Sequence, residues 1–274
     1  MLVRLNKVTK IFPQKTLFQD VSFSINKKER CGLIGLNGTG KTTLINMIIG
    51  RGQDYTGTIE KPNNVKIGCL SQEMFEGEQR TLIETMKTAF PEIIKIKNEL
   101  ETLEKNLDKN PNNQTVFGNL QHKFEELGGY EVEHKIEKIL FGLSFTKEDF
   151  NRSLANFSGG EKRRAGLAFL LLQMPDLLIL DEPTNHLDIG AVRWLENFLS
   201  NLHQGLLIIS HDRYFLDKTV NKIFEIDNQS IFSYKGDYES YLYQKKERLE
   251  LQEKERKKQE EYIKKTEEFI RRNI

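Results

Sequence analysis

Cys31-Gly32-Leu33-Ile34-Gly35-Leu36-Asn37-Gly38-Thr39-Gly40-Lys41-Thr42-Thr43 reads as a buried strand running into a glycine loop, and an apolar helix from Leu44 to Ile49 follows, stopping at Gly50. Strand, glycine loop and helix, in that order, is the setting in which such a loop becomes a phosphate site. Its glycines let backbone amides surround phosphates. Lys41 can reach the β and γ oxygens, and the Thr42 hydroxyl is placed to ligate magnesium. Gly35, Leu36, Asn37, Gly38, Thr39, Gly40, Lys41, Thr42 and Thr43 are therefore the expected nucleotide-binding segment.

Far downstream, Leu177-Leu178-Ile179-Leu180-Asp181-Glu182 is an apolar strand that ends on two carboxylates. A strand of this kind delivers Asp181 beside the magnesium, and Glu182 can polarise a water in line with the γ-phosphate. An acidic pair at a strand end also serves as a plain cap for the next segment. The phosphate loop upstream is what lends this pair a chemical role.

Phe157-Ser158-Gly159-Gly160-Glu161-Lys162 carries two readings at once. Ser158 and Glu161 form a capping box that starts a helix through the apolar Ala165 to Leu172. A cap needs no tandem glycines, which cost helix stability. Two bare amides at a helix amino terminus make an anion site, suited to a γ-phosphate.

Other strand-like segments are Val3-Leu5, Val21-Ile25, Thr58-Glu60, Val65-Leu70, Gly205-Ile209, Lys222-Ile226 and Ser230-Tyr234. An α/β core interrupted by a helical region is expected. In the interruption, Ile93, Ile96, Leu100, Leu103 and Leu107 recur at helical spacing, Asn110 to Asn113 reads as a turn, and Phe117, Leu120, Phe124 and Leu127 repeat the pattern. The two seams predict a helical hairpin of roughly 20 Å. From Tyr241 to Ile274 neither glycine nor proline occurs, and eleven lysines and arginines stand against eight glutamates. Leu242, Leu249, Ile263 and Ile270 share one heptad position, with Arg256 interrupting and Tyr262 and Phe269 alongside: a thin seam that wants a partner helix. The chain stops at Ile274 without a capping signal, which reads as a truncated linker.

The 274 residues carry 41 lysines and arginines against 40 aspartates and glutamates, so global charge gives no argument for nucleic acid. Cys31 and Cys69 lack metal-like spacing and read as buried reduced thiols, which suits the cytoplasm. The amino terminus lacks the apolar core of a signal peptide, and the most apolar stretch, Ala165 to Leu180, is broken by Gln173, Pro175 and Asp176. A soluble protein without membrane contact is expected.

The glycine loop, the Asp181-Glu182 strand and the Ser158-Gly159-Gly160-Glu161 run together resemble the ATP-binding cassette (ABC) ATPases, and within them the F subfamily, many of which act on the ribosome. The fold implied is α/β: a P-loop NTPase of ABC type with an inserted helical subdomain and arm hairpin, followed by a long charged helix. The resemblance implies ATP and Mg2+ as ligands. It implies that Phe12 stacks on adenine and that Gln72 joins the magnesium shell beside Thr42 and Asp181. It further implies that Asp188 lies in a loop crossing a dimer interface, and that His211 contacts the γ-phosphate. Glu182, His211 and Gln72 are the catalytic candidates. Three features favour the F subfamily: Glu161, where transporter cassettes usually have glutamine; the hairpin from about Ile93 to Leu127, at the place of the "arm"; and Lys235-Gly236-Asp237-Tyr238, like the start of a linker that approaches transfer RNA. The expected division is a cassette over 1–235, with the insertion at about 73–157, and a linker over 236–274.

Subfamily members hold two cassettes, and each ATP lies between one cassette's phosphate loop and the other's signature. Ser158, Gly159, Gly160, Glu161 and Asp188 are thus expected to act on the ATP of a second cassette, from the same protein or a homodimer. Ribosome, rRNA and tRNA are the further partners implied. Two other readings stay open: the ATPase subunit of a membrane transporter, and a nucleotide-gated clamp in which turnover is incidental.

Overall fold

The computed structural model describes residues 1–52, 54–70, 74–75, 77–105 and 111–272. Strands β1 (Val3–Phe12), β2 (Lys15–Ile25) and β4 (Thr56–Glu60) form an antiparallel sheet in the order β2-β1-β4. β1 and β2 run well beyond the short segments expected from sequence. Register shifts after Leu5 and Val8, with Lys7 and Asp20 at positive φ, break their alternation and hide their full length.

The central sheet has six strands in the order β5-β6-β7-β3-β8-β9, comprising β3 (Arg30–Gly35), β5 (Ile67–Cys69), β6 (Leu177–Asp181), β7 (Gly205–Ile209), β8 (Lys222–Asp227) and β9 (Ser230–Lys235). The first five run parallel, and β9 returns antiparallel on β8. β7 is buried at every position and β6 at all but Asp181, as strands covered on both faces must be. One face packs with the small sheet around α1 (Lys41–Ile49): Val3, Phe18 and Ile25 meet Leu44, Ile48, Ile179 and Leu207. On the other face lie α2 (Leu82–Lys87), α5 (Val132–Gly142), α7 (Gly159–Gln173), α8 (Ile189–Ser200) and α9 (Arg213–Thr219). Cys31 is buried, and burial pushes its thiol up to about 12. Cys69 is half-buried, more open than its apolar neighbours suggest.

Between β5 and β6 lies the helical interruption. α3 (Pro91–Glu104) and α4 (Pro111–Glu126) pair as the expected hairpin, about 21 and 24 Å long. Ile93, Ile96 and Phe124 are buried in its seam, Leu100 and Leu120 pack against it, and Lys123 pairs with Glu92 at 2.7 Å. Leu127, read as the last seam residue, is 38 % exposed just past the helix end. Leu107 lies outside the described residues. Of the turn read at Asn110 to Asn113, Asn110 lies outside the described residues and Pro111 opens α4, because proline's preset φ suits a first helical position as well as a turn. The short α6 (Lys147–Phe150), begun by a Thr146–Asp149 capping box, leads back towards α7.

α10 (Tyr238–Arg272) is a single helix of 35 residues, about 52 Å long. Only its first turns touch the rest of the fold: Tyr241 is buried against Tyr234 and Tyr238, and every residue from 249 to 269 is exposed. Leu242, Leu249 and Ile263 accordingly lie on an uncovered surface.

Candidate functional site

Parallel strands β3, β6 and β7 end together at Gly35, Asp181 and Ile209, and ligands of open α/β sheets bind at such carboxyl ends. The glycine loop leaves β3 and enters α1 at Gly40, whose φ of 100° is left-handed. A Cβ there would also lie 2.9 Å from Leu17 Cδ1 and 3.2 Å from the Phe18 ring, so β2 presses the loop too closely for any side chain. No side chain caps α1. Its first-turn amides are left for an anion. Lys41 Nζ folds back on the loop, donating to the Gly35 carbonyl at 2.7 Å and the Leu36 carbonyl at 3.1 Å. Burial lowers the pKa of Lys41, and the charges of Asp181 and Glu182 oppose that fall.

A cleft of about 650 Å³ brings together Phe12, Asn37, Gly38, Gly40, Lys41, Thr42, Thr43, Asp181, Glu182 and His211. Gly35, Leu36 and Thr39 line an adjoining cavity of about 960 Å³ with Tyr241 and Lys245. That larger cavity lacks Thr42, Asp181 and Glu182, so the smaller cleft holds the groups suited to phosphate chemistry. Phe12, at the end of β1, is 44 % exposed and has Lys10 Nζ 4.7 Å from its ring centroid. Gln72 lies outside the described residues.

Asp181 and Glu182 are both pushed above the ordinary carboxylate range, chiefly by burial. Arg163, Lys41 and His211 counter the shift at Asp181. At Glu182 the His211 backbone amide counters it, donating to Oε2 at 3.4 Å. Glu182 has a φ of 47°, a conformation that costs a non-glycine residue about 1–3 kcal/mol and persists only when its surroundings enforce it. They do so here: its amide donates to the Ile209 carbonyl at 2.8 Å, and its carbonyl accepts from the Asn185 amide at 3.3 Å and from Arg163 at 3.2 Å. The resulting pose leaves Glu182 Oε1 buried without a hydrogen-bond partner, 3.6 Å from His211 Nε2. An orphaned carboxylate oxygen facing the cleft fits a water or substrate group.

The Ser158 capping box forms as read. Ser158 Oγ accepts from the Glu161 amide at 3.3 Å, and Glu161 Oε2 accepts from the Ser158 amide at 2.7 Å. Arg152 donates to the other Glu161 oxygen at 3.1 Å, so that side chain is committed to the cap. A Cβ on Gly159 would meet nothing within 4 Å, and one on Gly160 would only touch His186 at 3.4 Å. Neither packing nor backbone conformation in this chain demands these glycines. Asp188 caps α8, accepting from the Ala191 amide at 2.9 Å, and the Ser144 hydroxyl foremost holds its carboxyl below the ordinary range. None of Ser158, Gly159, Gly160, Glu161 and Asp188 lines the cleft around Lys41.

Residues 18–185 match the model of a family described as ABC transporter, and residues 224–274 match a second model of the same description. The chain belongs to the ABC transporter family. Curated proteins named as F family members are among those it is similar to. It is 37 % identical over 258 residues to ABC transporter F family member 5 of Arabidopsis thaliana, covering 91 % of this chain and 37 % of that protein. Against the energy-dependent translational throttle protein EttA of Escherichia coli (strain K12), identity is 34 % over 253 residues, covering 89 % and 45 %. The cassette thus spans less than half the length of these curated relatives. Among solved structures, the ATP-binding subunit of an ABC transporter superposes with a TM-score of 0.61 at 20 % identity over 86 % of this chain and 90 % of that one. A dimeric post-hydrolysis state of the cassette MJ0796, bound to ADP and Pi, superposes at 0.59 and 19 % over 85 % and 98 %. At these identities the likeness is one of fold.

Among the described residues, no helix of the cassette is long and apolar enough to cross a membrane. No cluster of three or more His, Cys, Asp or Glu suited to a metal is present among them either. Sequence reading passed over Arg163, whose guanidinium reaches the carbonyl ends of β6. It stands between Lys162 and Arg164, and nothing in three consecutive bases marks the one that turns inward.

Proposed function

We propose that this chain is one cassette of an F-type protein that binds Mg-ATP, closes against a second cassette, hydrolyses the nucleotide to reopen, and acts on the ribosome during translation in the cytoplasm. One observation carries the reading: the phosphate cleft and the Ser158-Gly159-Gly160 helix end lie in the same chain, yet no signature residue lines that cleft. The open space over Gly159 supports a nucleotide held by another cassette. The name of the relative EttA supports the ribosome as target.

In this reading Gly38, Gly40 and the first amides of α1 receive the β and γ phosphates. Lys41 exchanges its two loop carbonyls for phosphate oxygens, and Phe12 covers the adenine. The Thr42 hydroxyl and the Asp181 carboxylate form an oxygen donor set of the kind magnesium takes when phosphates and waters complete its shell. Magnesium, when bound, neutralises charge developing on the phosphate oxygens. Glu182 Oε1, already without a partner, orients the attacking water, and His211, whose Nε2 lies 3.6 Å from that oxygen, meets the γ-phosphate. Gln72 belongs to the same set. The division into a cassette over 1–235, with its insertion at about 73–157, and a linker over 236–274 is part of this proposal.

Trapping the closed state with Glu182→Gln in the two-cassette protein, and sedimenting it with ribosomes and ATP, tests the reading. Co-sedimentation at low salt, lost as salt rises, is expected. Absence from the ribosomal pellet at low salt would sink the ribosomal assignment.

A further inference from the structure

Arg163 lies in the second turn of α7, five residues beyond the capping Ser158 and therefore about 7.5 Å along the helix from it. Its Nη2 donates to the Asp181 carbonyl at 2.6 Å and to the Glu182 carbonyl at 3.2 Å. These are the last residue of β6 and the residue that leaves it in a left-handed conformation. One guanidinium nitrogen thus spans the two peptide units that set where the Glu182 side chain points. The neighbouring Arg164 is turned elsewhere, with its guanidinium 4.9 Å from the Phe145 ring.

Two other contacts hold the Glu182 backbone, from Ile209 and Asn185. Ile209 belongs to the sheet and Asn185 to the segment just after Glu182. Arg163 alone among the three comes from the helix that Ser158, Gly159 and Gly160 begin. A rigid helix carries a displacement of its amino terminus directly to a side chain little more than one turn inside it.

We propose that Arg163 is a positioning residue. It holds Glu182 in its working conformation and links that carboxylate to the helix end where the partner cassette's nucleotide is received. Arg163 touches no substrate in this scheme; it acts through the Asp181 and Glu182 carbonyls. The inference rests on the ATPase reading above and adds to it a path between two half-sites within one cassette.

The test compares Arg163→Ala and Arg163→Lys with the unmodified protein in Mg-ATP affinity, steady-state hydrolysis and melting temperature. Loss of a group that orients a reacting residue is expected to lower kcat on the order of tenfold to a hundredfold. Mg-ATP affinity stays unchanged, and lysine, which keeps the charge and a donor, restores part of the rate. In a Glu182→Gln background, Arg163→Ala adds no further loss, because the group it positions is already gone. A purely structural arginine would instead lower affinity, melting temperature and rate together, in both backgrounds. That result, or an unchanged kcat in Arg163→Ala, overturns the proposal. Amide hydrogen exchange at Glu182 to Asn185 in the nucleotide-free chain supplies a readout independent of turnover. Faster exchange in Arg163→Ala is expected, and unchanged exchange overturns the positioning role. If the unmodified protein binds ATP without hydrolysing it, the ATPase reading falls while the exchange measurement still judges Arg163.

Discussion

The Tyr241 hydroxyl donates to the Glu225 carboxylate at 2.8 Å, tying the first turns of the long charged helix to a strand that lies beside the phosphate loop. Glu225 is 4 % exposed and pairs in register with Ile34, the residue before Gly35. Lys245 also meets this carboxylate, as do Tyr234 at 3.1 Å and Arg248 at 3.3 Å. Arg248 in turn stacks 3.6 Å from the Phe232 ring centroid and reaches Asp227 at 3.0 Å. A buried carboxylate with this many donors is a point of attachment. Removing one donor strands part of its charge.

Tyr241→Phe should therefore destabilise the folded chain by about 1.5–3 kcal/mol, the usual worth of a hydrogen bond to a charged group. Chemical denaturation followed by circular dichroism would read this as a lower midpoint at unchanged slope. Leu249→Ala, on the exposed stretch of the same helix, should leave the midpoint nearly unmoved.

Alkali should loosen the same junction. Burial and the Glu225 charge push Tyr234 up to about 12, and the same causes raise Tyr241. An unfolded phenol titrates near 10. A group whose folded pKa is raised contributes stability that is complete below its unfolded pKa and is lost as pH rises through its folded one. Stability should fall as pH climbs from about 10 to 12, and the fall should be smaller in a Tyr234→Phe, Tyr241→Phe double variant. Equal alkaline losses in both proteins would contradict this account.

At the signature helix, Ser158→Ala removes the cap and should cost about 1 kcal/mol. Mg-ATP binding by the isolated chain should persist, while association of two cassettes in ATP is impaired. The Glu161 carboxyl is held below the ordinary range first by the Ser158 amide and then by the Ser158 hydroxyl, with Arg152 adding to it. Its pKa is depressed by folding, so the stability it contributes is present above the unfolded carboxylate pKa and disappears as pH falls through the folded one. Acid unfolding of Glu161→Gln should accordingly show a shallower pH dependence than that of the unmodified chain.

In the cleft, Lys41→Ala should weaken Mg-ATP binding by roughly 2–5 kcal/mol, the cost of truncating one member of a close charged contact. Titration calorimetry measures it directly. The isolated chain should bind Mg-ATP yet turn it over slowly. Brisk hydrolysis by a demonstrated monomer, independent of concentration, would contradict the shared-site reading.

Gly142→Ala should be poorly tolerated. A Cβ at that position would lie 2.0 Å from Trp194 Cε2, where α5 crosses the indole on α8. Overpacking of this kind costs about 1–3 kcal/mol. Trp194 is the single tryptophan, so its fluorescence reports both the local shift and the lowered unfolding midpoint.

The Gly35–Thr43 loop, the Asp181-Glu182 strand end and the Ser158–Glu161 cap were legible in the chain, because each is specified by neighbours within about one turn. The hairpin seams were legible for a related reason: apolar residues at helical spacing state which face a helix buries. Strand lengths were less readable. Bulges at Lys7 and Asp20 shift the alternation, and a window of a few residues then sees only fragments of β1 and β2. Pro111 misled because one preset φ serves two local structures.

Arg163 and Glu225 left no mark of either kind. Arg163 reaches carbonyls 18 and 19 positions away, and Glu225 gathers donors from 9 to 23 positions away on two other elements, β9 and α10. Charged residues near the surface follow no apolar period, so a run of bases or a lone glutamate looks the same whether it ends in solvent or inside. Local chemistry named the nucleotide loop and its acidic partner from letters alone. Which charge turns inward, and what it steadies there, emerged when packing brought distant segments to hydrogen-bonding distance. Burial then made each unpaired polar group too costly to leave.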